Sequence, residues 1–270
     1  MKAWRSPAAL SGAAVVALAV LVAVLAPFLT TADPIAQHLD LLLAPPSANH
    51  LLGTDELGRD TYSRLLFGAR TSLGVGLSAT AIALCGGLLV GLVAGWSGGW
   101  IDTIAMRAID GLLAFPALVL ALAITATLGP NVQDAIVAIG VTGIPAFARL
   151  ARGQVLATKH LDFVQSARAI GASGTRILMR HVMPNIAAPL IVQTSLAIPA
   201  AIIAEAALGF LGLGVQPPTP SWGTMINSAR SYLEADPLLV LAPGAAIFVT
   251  VLAFNFLGDA VRDALDPRLL

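Results

Sequence analysis

The chain has 270 residues, of which 57% are hydrophobic and 11% are charged, and its mean hydropathy is +0.85. Soluble domains carry about 25% charged residues, so this composition excludes an ordinary soluble protein and predicts one that lies mostly in lipid. The formal net charge is zero, which gives no electrostatic basis for binding nucleic acid. The single cysteine, Cys85, excludes an internal disulfide.

Long apolar segments predict an all-α integral membrane protein with six transmembrane helices. A crossing needs about 20 apolar residues, because the hydrocarbon core is about 30 Å thick. In chain order the predicted spans are 8–29, 71–95, 111–129, 131–148, 185–204 and 237–257. The first exceeds the roughly 7–15 apolar residues of a cleavable signal peptide, so we expect it to be retained.

The distribution of Lys and Arg predicts which side of the membrane each loop faces. If both termini lie on one side, that side holds 11 of the 15 Lys and Arg residues and the other side holds four. The positive-inside rule then places both termini in the cytoplasm. The predicted domains are a first helix with its flanking segments (1–70), a membrane core (71–258) with a cytoplasmic loop at 149–184, and a cytoplasmic tail (259–270).

The extracytoplasmic segment HLLGTDELGRDTYSRLLFGARTSL (50–73) admits two interpretations. Asp60 and Arg64 at positions i and i+4, with an apolar side that includes Leu65 and Ala69, indicate an interfacial helix anchored by Arg64 and Arg70. Alternatively, the segment forms an outer surface that receives a protein partner or gates a pore. The candidate residues for that surface, whose acidic members would complement basic groups on the partner, are Asp55, Glu56, Arg59, Asp60 and Arg64.

The cytoplasmic stretch DFVQSARAIGASGTRILMRHVMPN (162–185) predicts two short helices joined by a glycine. Asp162 is a candidate N-cap with Gln165 three residues later, and Gly171 suits the left-handed position after a helix end. Ser173 is a candidate N-cap of the second helix, and Pro184 is expected to end it. The predicted apolar face consists of Phe163, Val164, Ala167 and Ile170. From these features alone, the stretch is either a basic linker resting on anionic headgroups or a docking site for a protein.

Glu205, late in the fifth span, is the clearest ionisable residue predicted inside the membrane. Acidic groups in lipid are costly, so Glu205 either pairs with polar groups of the protein or lines a substrate path. Further along, prolines between 217 and 220 predict a stiff loop. Trp222 is expected at the outer membrane interface, with Trp96 and Trp100 at the inner one.

The sequence lacks the motifs that would supply energy or catalysis. A phosphate-binding P-loop requires Gly-x-x-x-x-Gly-Lys-Ser/Thr, and neither of the lysines, Lys2 and Lys159, lies in one. The four histidines fall outside the predicted spans and are too dispersed for a metal site or an intramembrane hydrolase. We therefore expect no enzyme activity and no cofactor in this chain. Buried charge is too scarce to favour an ion-coupled carrier.

The cytoplasmic stretch resembles the EAA loop of binding-protein-dependent ABC importer permeases, whose pattern is Glu-Ala-Ala, three residues, Gly, nine residues, Ile, one residue, Leu-Pro. Gln165, Ser166 and Ala167 occupy the EAA positions, so the usual carboxylate is missing, while Gly171 and Pro184 match. Two further stretches, 50–73 and EAALGFLGLGVQPPTPSWGTMI (205–226), resemble the C-type permeases of dipeptide, oligopeptide and nickel importers.

The resemblance implies a type I ABC importer permease in a bacterial inner membrane. Such a subunit contacts membrane lipid, pairs with a homologous second permease, docks two ATPases that hold ATP and Mg, and receives substrate from an extracytoplasmic binding protein. That binding protein would face the 50–73 segment. The residues implied to couple the permease to the ATPases are Gln165, Ser166, Ala167, Arg168, Gly171, Arg176, Arg180 and Pro184.

The implied substrate is a short peptide, with nickel or another small solute as the alternative within the same family. Outside that family, the alternatives are an ion-coupled secondary carrier and a membrane scaffold without a transport role. Uptake assays separate these classes, because the importer needs ATP, ATPases and a binding protein, whereas a carrier needs only an ion gradient.

Overall fold

The computed structural model describes residues 7–265, and the regular structure in this range is helical apart from one isolated bridge between Thr54 and Asp60. The ends of the two predicted tails, residues 1–6 and 266–270, lie outside the described residues. In chain order the helices are α1 (Pro7–Leu29), α2 (Thr61–Ser97), α3 (Gly99–Leu113), α4 (Ala117–Leu128), α5 (Val132–Thr158), α6 (Asp162–Ala169), α7 (Gly174–Ile177), α8 (Met183–Phe210), α9 (Trp222–Ala229) and α10 (Leu238–Leu265). A π-helical turn (Leu178–Val182) joins α7 to α8, and a 3-10 turn (Arg230–Tyr232) follows α9.

The predicted all-α membrane fold is confirmed. Within the described residues, five helical segments are each long and apolar enough to cross a membrane, and they contain α1, α2, α5, α8 and α10. The bent pair α3–α4 brings the number to six when it is counted as one crossing.

The third predicted span, 111–129, is wrong as a continuous helix. α3 and α4 meet at 90°, and α4 has 12 residues, which is about 18 Å at 1.5 Å per residue. The break falls at 114–116 because Pro116 has no N–H for the helical ladder and disfavours helical backbone at the residue before it. α3, which carries Asp102, Arg107 and Asp110, therefore runs at a right angle to α4.

Four other helices, α2, α5, α8 and α10, are longer than predicted, and the extensions of α5 and α2 change the predicted loops. α5 continues to Thr158, so the loop expected from residue 149 begins ten residues later, at Lys159. α2 begins at Thr61, and the Asp60 Oδ2 caps it by accepting a hydrogen bond from the Ser63 N–H at 2.8 Å. Of the two interpretations of this segment, an interfacial helix anchored by Arg64 is therefore wrong, because Arg64 is buried in the first turns of α2.

The bundle is built on the close packing of α2 against α5, through glycines spaced four residues apart. A Cβ on Gly87 would lie 2.4 Å from the Phe147 Cβ, and one on Gly91 would lie 2.5 Å from the Ala148 carbonyl oxygen. Small residues at this spacing let two backbones approach in lipid, where packing holds helices together. α8 packs against α2 and α5, and α1 packs against α10 and α2.

Candidate coupling surface and membrane cavity

The coupling segment, residues 159–184, is anchored to the bundle by a buried apolar cluster. Val164 and Ala167 of α6 and Ile177 of α7 are 0%, 5% and 1% exposed. They pack in one cluster with side chains of α5 and α8, among them Phe147 and Ile186. Helices as short as α6 and α7 are not stable alone, so this cluster fixes their position on the bundle.

A left-handed glycine shapes the turn between α6 and α7. Gly171 has φ +79°, which confirms the predicted conformation. The Ala172 N–H donates to the Ala167 carbonyl at 3.1 Å, and the Gly171 N–H donates to the Arg168 carbonyl at 2.9 Å. These are the two hydrogen bonds of a Schellman motif, which satisfies carbonyl groups at a helix end.

Of the other helix boundaries predicted in the coupling segment, one is confirmed and two are wrong. Ser173 caps α7, its Oγ accepting a hydrogen bond from the Arg176 N–H at 3.4 Å. Asp162 is not the N-cap of α6, because Leu161 holds that position and Asp162 lies in the first turn. Pro184 does not end a helix: the chain continues through the π-helical turn, and Pro184 lies in the first turn of α8, where a missing N–H is tolerated.

The surface of the coupling segment mixes arginines with apolar side chains. The predicted apolar face of α6 is divided, with Val164 and Ala167 inward and with Phe163 and Ile170 39% and 85% exposed. Apart from the buried Ala167, the residues implied to couple the chain to ATPases are exposed: Gln165, Ser166, Arg168, Gly171, Arg176, Arg180 and Pro184. Exposed apolar side chains at the end of a bundle are typical of a protein-docking surface.

Two contacts join the coupling segment to the end of α2. The Arg168 Cζ lies 5.2 Å from the ring centroid of Trp96, a cation–π contact. The Lys159 Nζ donates to the Gly95 carbonyl oxygen at 2.9 Å. Trp96 is half-buried against the apolar cluster, so its ring also makes an internal contact.

Ion pairs join α5 to α3 just before the coupling segment. Arg152 donates from Nε and Nη2 to the two carboxylate oxygens of Asp102, at 2.5 and 2.7 Å. These hydrogen bonds hold the pKa of Asp102 below its ordinary value. Arg149 donates to the Asp110 Oδ1 at 2.7 Å. The bidentate geometry of the first pair fixes α3 to the end of α5.

A cavity of about 270 Å³ lies between α2, α4, α5 and α8. Most of its lining residues are small, its polar side chains come from Thr80, Thr142 and Gln193, and its walls carry no charged side chain within the described residues. Cavities between membrane helices, lined by apolar groups and a few polar ones, are typical of substrate sites. This cavity is therefore the candidate for one half of a translocation path.

Glu205 is absent from the described wall of this cavity. Its side chain is 0% exposed, and the Ser72 Oγ of α2 donates to the Glu205 Oε2 at 2.7 Å. The Ser72 Oγ also accepts from the Trp222 N–H at 3.2 Å, so this network joins α8, α2 and α9. The Glu205 Oε1 has no hydrogen-bond partner among residues 7–265. The geometry thus supports internal pairing of Glu205 over contact with a substrate.

Trp222 lies inside the protein, and its predicted place at the outer membrane interface is wrong. The residue is 3% exposed, and its Nε1 donates to the Leu65 carbonyl oxygen at 3.2 Å. Gly68 makes room for the indole, because a Cβ at Gly68 would lie 3.1 Å from the Trp222 Cδ1. The ring therefore joins α9 to the first turns of α2.

The charged residues at the start of the 50–73 segment form a buried network centred on Asp55. The Asp55 Oδ2 lies 2.7 Å from the Arg59 Nε and 3.2 Å from the Arg64 Nε. Arg59 also pairs with Glu56 at 2.8 Å. Asp55, Arg59 and Arg64 are 6%, 3% and 4% exposed, so their charges are paired within the chain.

Asp60, the last acidic candidate in this segment, is also buried and engaged. Its Oδ1 lies 3.0 Å from the His50 Nδ1, while its Oδ2 caps α2. If the segment receives a protein partner, backbone groups and other side chains would therefore make most of the contact.

Comparison with known proteins decides the family. Residues 87–270 match the family described as binding-protein-dependent transport system inner membrane component. The chain belongs to this family. It is similar, at 48% identity over 276 residues, to the di/tripeptide transport system permease protein DppC of Pseudomonas aeruginosa (strain UCBPP-PA14), with 98% of this chain and 91% of the relative covered. It is 47% identical over 230 residues to the glutathione transport system permease protein GsiD of Pectobacterium atrosepticum, with 85% and 76% covered.

Solved structures share the fold of this inner membrane component. The inward-facing MetNI methionine ABC transporter matches with a TM-score of 0.60 at 17% identity, covering 75% of this chain and 96% of that chain. An amino acid ABC transporter crystallised with histidines matches with a TM-score of 0.59 at 17% identity, covering 75% and 94%. The resemblance drawn from the sequence motifs is confirmed, and the protein is a permease subunit of an ABC importer, which is a transport subunit and not an enzyme.

Proposed function

We propose that this permease forms half of the translocation path of an importer for short peptides in the bacterial inner membrane, with both termini in the cytoplasm. A homologous second permease would complete the path. Two ATPases would hold ATP and Mg, and an extracytoplasmic binding protein would deliver the substrate. The observation that carries the proposal is the coupling segment, which is rigidly packed on the bundle yet exposes apolar and arginine side chains.

The contacts of the coupling segment suit it to transmit movement. Closure of two ATPases moves membrane helices only through an element that is stiff and held at both ends. Val164 and Ala167 fix α6 to the bundle, and Arg168 contacts α2 at Trp96. α2 and α5 also line the cavity, through Thr80 and Thr142. ATP would favour one conformation of the permease, because the closed ATPase pair binds that conformation more tightly.

The cavity and the relatives both favour peptides over nickel. The relatives are named for di/tripeptides and for glutathione. The neutral, small side chains of the cavity require no particular charge from the substrate, so peptides with different side chains would pass. No group of three or more His, Cys, Asp or Glu suited to a metal ion occurs among the described residues. Selection among peptides would then be made by the binding protein.

Uptake of a labelled dipeptide into proteoliposomes tests this proposal. The vesicles contain both permeases and the two ATPases, with ATP inside and the binding protein outside. We expect uptake that requires ATP and the binding protein and that persists when ionophores abolish ion gradients. Uptake by this chain alone, driven by a proton or sodium gradient, would contradict the importer assignment. ATP-driven uptake of nickel without any uptake of dipeptide would contradict the proposal that short peptides are the substrate.

A further inference from the structure

A groove of about 250 Å³ lies between α1 and α2, away from the cavity described above. Its walls are apolar except at one end, where Arg70 lines it, and the other lining residues are Val20, Ala23, Val24, Leu73, Gly74 and Leu77. Arg70 precedes Trp96 by 26 residues in the same helix, which is about 39 Å along its axis. The groove therefore lies along the half of α2 that is farther from the coupling segment.

Arg70 lies where the hydrocarbon layer should begin. It directly precedes the uncharged stretch 71–95, which is long enough to cross the membrane. The side chain is exposed, and none of the ion pairs within residues 7–265 includes it. Unpaired charges at this depth are costly unless an anion or water reaches them, and lipid phosphates occupy this level.

Gly74 keeps the floor of the groove open. A Cβ at this position would meet no atom within 4 Å, so the glycine does not serve the packing of α2 against α1. This contrasts with Gly87 and Gly91 of the same helix, where a Cβ would collide with α5. The space over Gly74 is bounded by aliphatic side chains and suits a hydrocarbon chain.

We propose that this groove holds one anionic phospholipid, with its phosphate on Arg70 and one acyl chain over Gly74. A guanidinium binds phosphate oxygens with two parallel hydrogen bonds, and the aliphatic walls match the acyl chain. A helix of a second protein is the competing occupant. The lipid is favoured because a packed helix would have to bring a carboxylate to the same point, whereas every anionic phospholipid carries its charge there. Under the proposed orientation, this lipid belongs to the extracytoplasmic leaflet.

The amount of phosphatidylglycerol bound to the whole importer complex is the measure of the occupancy of this groove. The complex is purified in mild detergent, incubated with phosphatidylglycerol, and analysed by native mass spectrometry. We expect Arg70→Gln to lower the occupancy about five-fold, the effect of one basic residue at a membrane surface, and Arg70→Lys to retain most of it. Gly74→Leu should lower the occupancy by filling the groove, without lowering the melting temperature.

Two matched variants control for charge and size. Arg230→Gln removes an exposed arginine from the same end of the bundle, and Gly244→Leu enlarges another glycine of a membrane helix that has open space above it. Both should retain phosphatidylglycerol like the wild type. Equal retention in all variants would overturn the proposal. Unchanged lipid retention with loss of the second permease in Gly74→Leu would also overturn it and would identify a protein interface. Dipeptide uptake is measured separately, so failure of the lipid site would leave the transport assignment standing.

Discussion

Arg168 of α6 lies over the ring of Trp96 at the end of α2, with 5.2 Å between the arginine Cζ and the ring centroid. α2 continues without a break to Thr61 and lines the membrane cavity at Thr80. This pair therefore joins the surface proposed to meet the ATPases to a wall of the proposed path. Cation–π contacts at partly exposed sites contribute about 0.5–1 kcal/mol, enough to bias two states of comparable energy.

Trp96→Leu should weaken coupling without preventing assembly. Leucine keeps an apolar contact with the buried cluster but removes the cation–π contact, so we expect the ATPases to copurify while substrate-stimulated ATP hydrolysis and uptake fall about two- to five-fold. Trp100→Leu is the control, because Trp100 is 72% exposed on α3. Coupling in Trp96→Leu equal to that of the wild type would exclude a role for this contact.

Gly171→Val should disturb the coupling segment through its backbone alone. No atom lies within 4 Å of a Cβ at this position, so the loss comes from holding a β-branched residue at φ +79°, about 1–2 kcal/mol. We expect normal membrane insertion but less ATPase retained during affinity purification. Gly171→Asn serves as the control, because asparagine adopts left-handed backbone more readily. Full ATPase recovery and uptake in Gly171→Val would argue against the coupling role of this turn.

The coupling segment shows which features a single sequence can and cannot predict. Gly171 and Ser173 act through hydrogen bonds within a few residues, so local pattern was sufficient to predict both. The sequence did not predict which apolar residues of the α6 face are buried. Val164 is buried because residues of α5 and α8 pack on it, whereas Ile170 is exposed. Pro116 is a signal in the sequence for the break between α3 and α4. A count of apolar residues alone ignores it and predicts one span over 111–129.

Gly91→Val should destabilise the bundle at the packing of α2 against α5. A Cβ at Gly91 would lie 2.5 Å from the Ala148 carbonyl oxygen and 2.6 Å from the Ala151 Cβ, and overpacking of this kind costs about 1–3 kcal/mol. The melting temperature of the purified complex should fall. Gly153→Val on α5 is the matched control, because a Cβ there meets no atom within 4 Å. Equal melting temperatures for the two variants would disprove the close packing.

The positions of Trp222 and of the Asp55 network depend on contacts that no local pattern specifies. Trp222 is buried because Gly68, more than 150 residues away in sequence, leaves space for its ring. One of the two interpretations of the 50–73 segment placed its acidic residues on a partner-facing surface, whereas Asp55 and Asp60 are buried and paired within the chain. The four-residue spacing of Gly87, Gly91 and Gly95 is a signal in the sequence for the packing of α2 against α5, because small residues at this spacing let helices approach closely.

Glu205→Gln should have little effect on transport. The amide keeps an acceptor oxygen for the Ser72 hydroxyl, so we expect near wild-type uptake of dipeptides with free and with acetylated amino termini. Glu205→Ala should instead lower stability by about 1–3 kcal/mol, because it leaves a buried hydroxyl without its acceptor. A selective loss of uptake for peptides with a free amino terminus in Glu205→Gln would place this residue on the substrate path.

Asp55→Ala should destabilise the segment before α2 more than other changes of a single carboxylate there. Asp55 contacts both Arg59 and Arg64, and its Oδ1 accepts the N–H groups of Leu57 and Arg59 at 2.9 and 3.0 Å. Removing one partner of a buried ion pair costs about 3–5 kcal/mol, because the remaining charge is left in a poorly solvated site.

The melting temperature of the purified complex, and binding of the extracytoplasmic binding protein to it, test this change. Asp55→Ala should lower the melting temperature strongly. Asp55→Asn should lower it less, because the amide oxygen still accepts the backbone N–H groups. Glu234→Ala, which removes an exposed carboxylate, should leave the melting temperature unchanged. An unchanged melting temperature in Asp55→Ala combined with weaker docking of the binding protein would contradict the buried-network interpretation, because Asp55 would then have to face the partner.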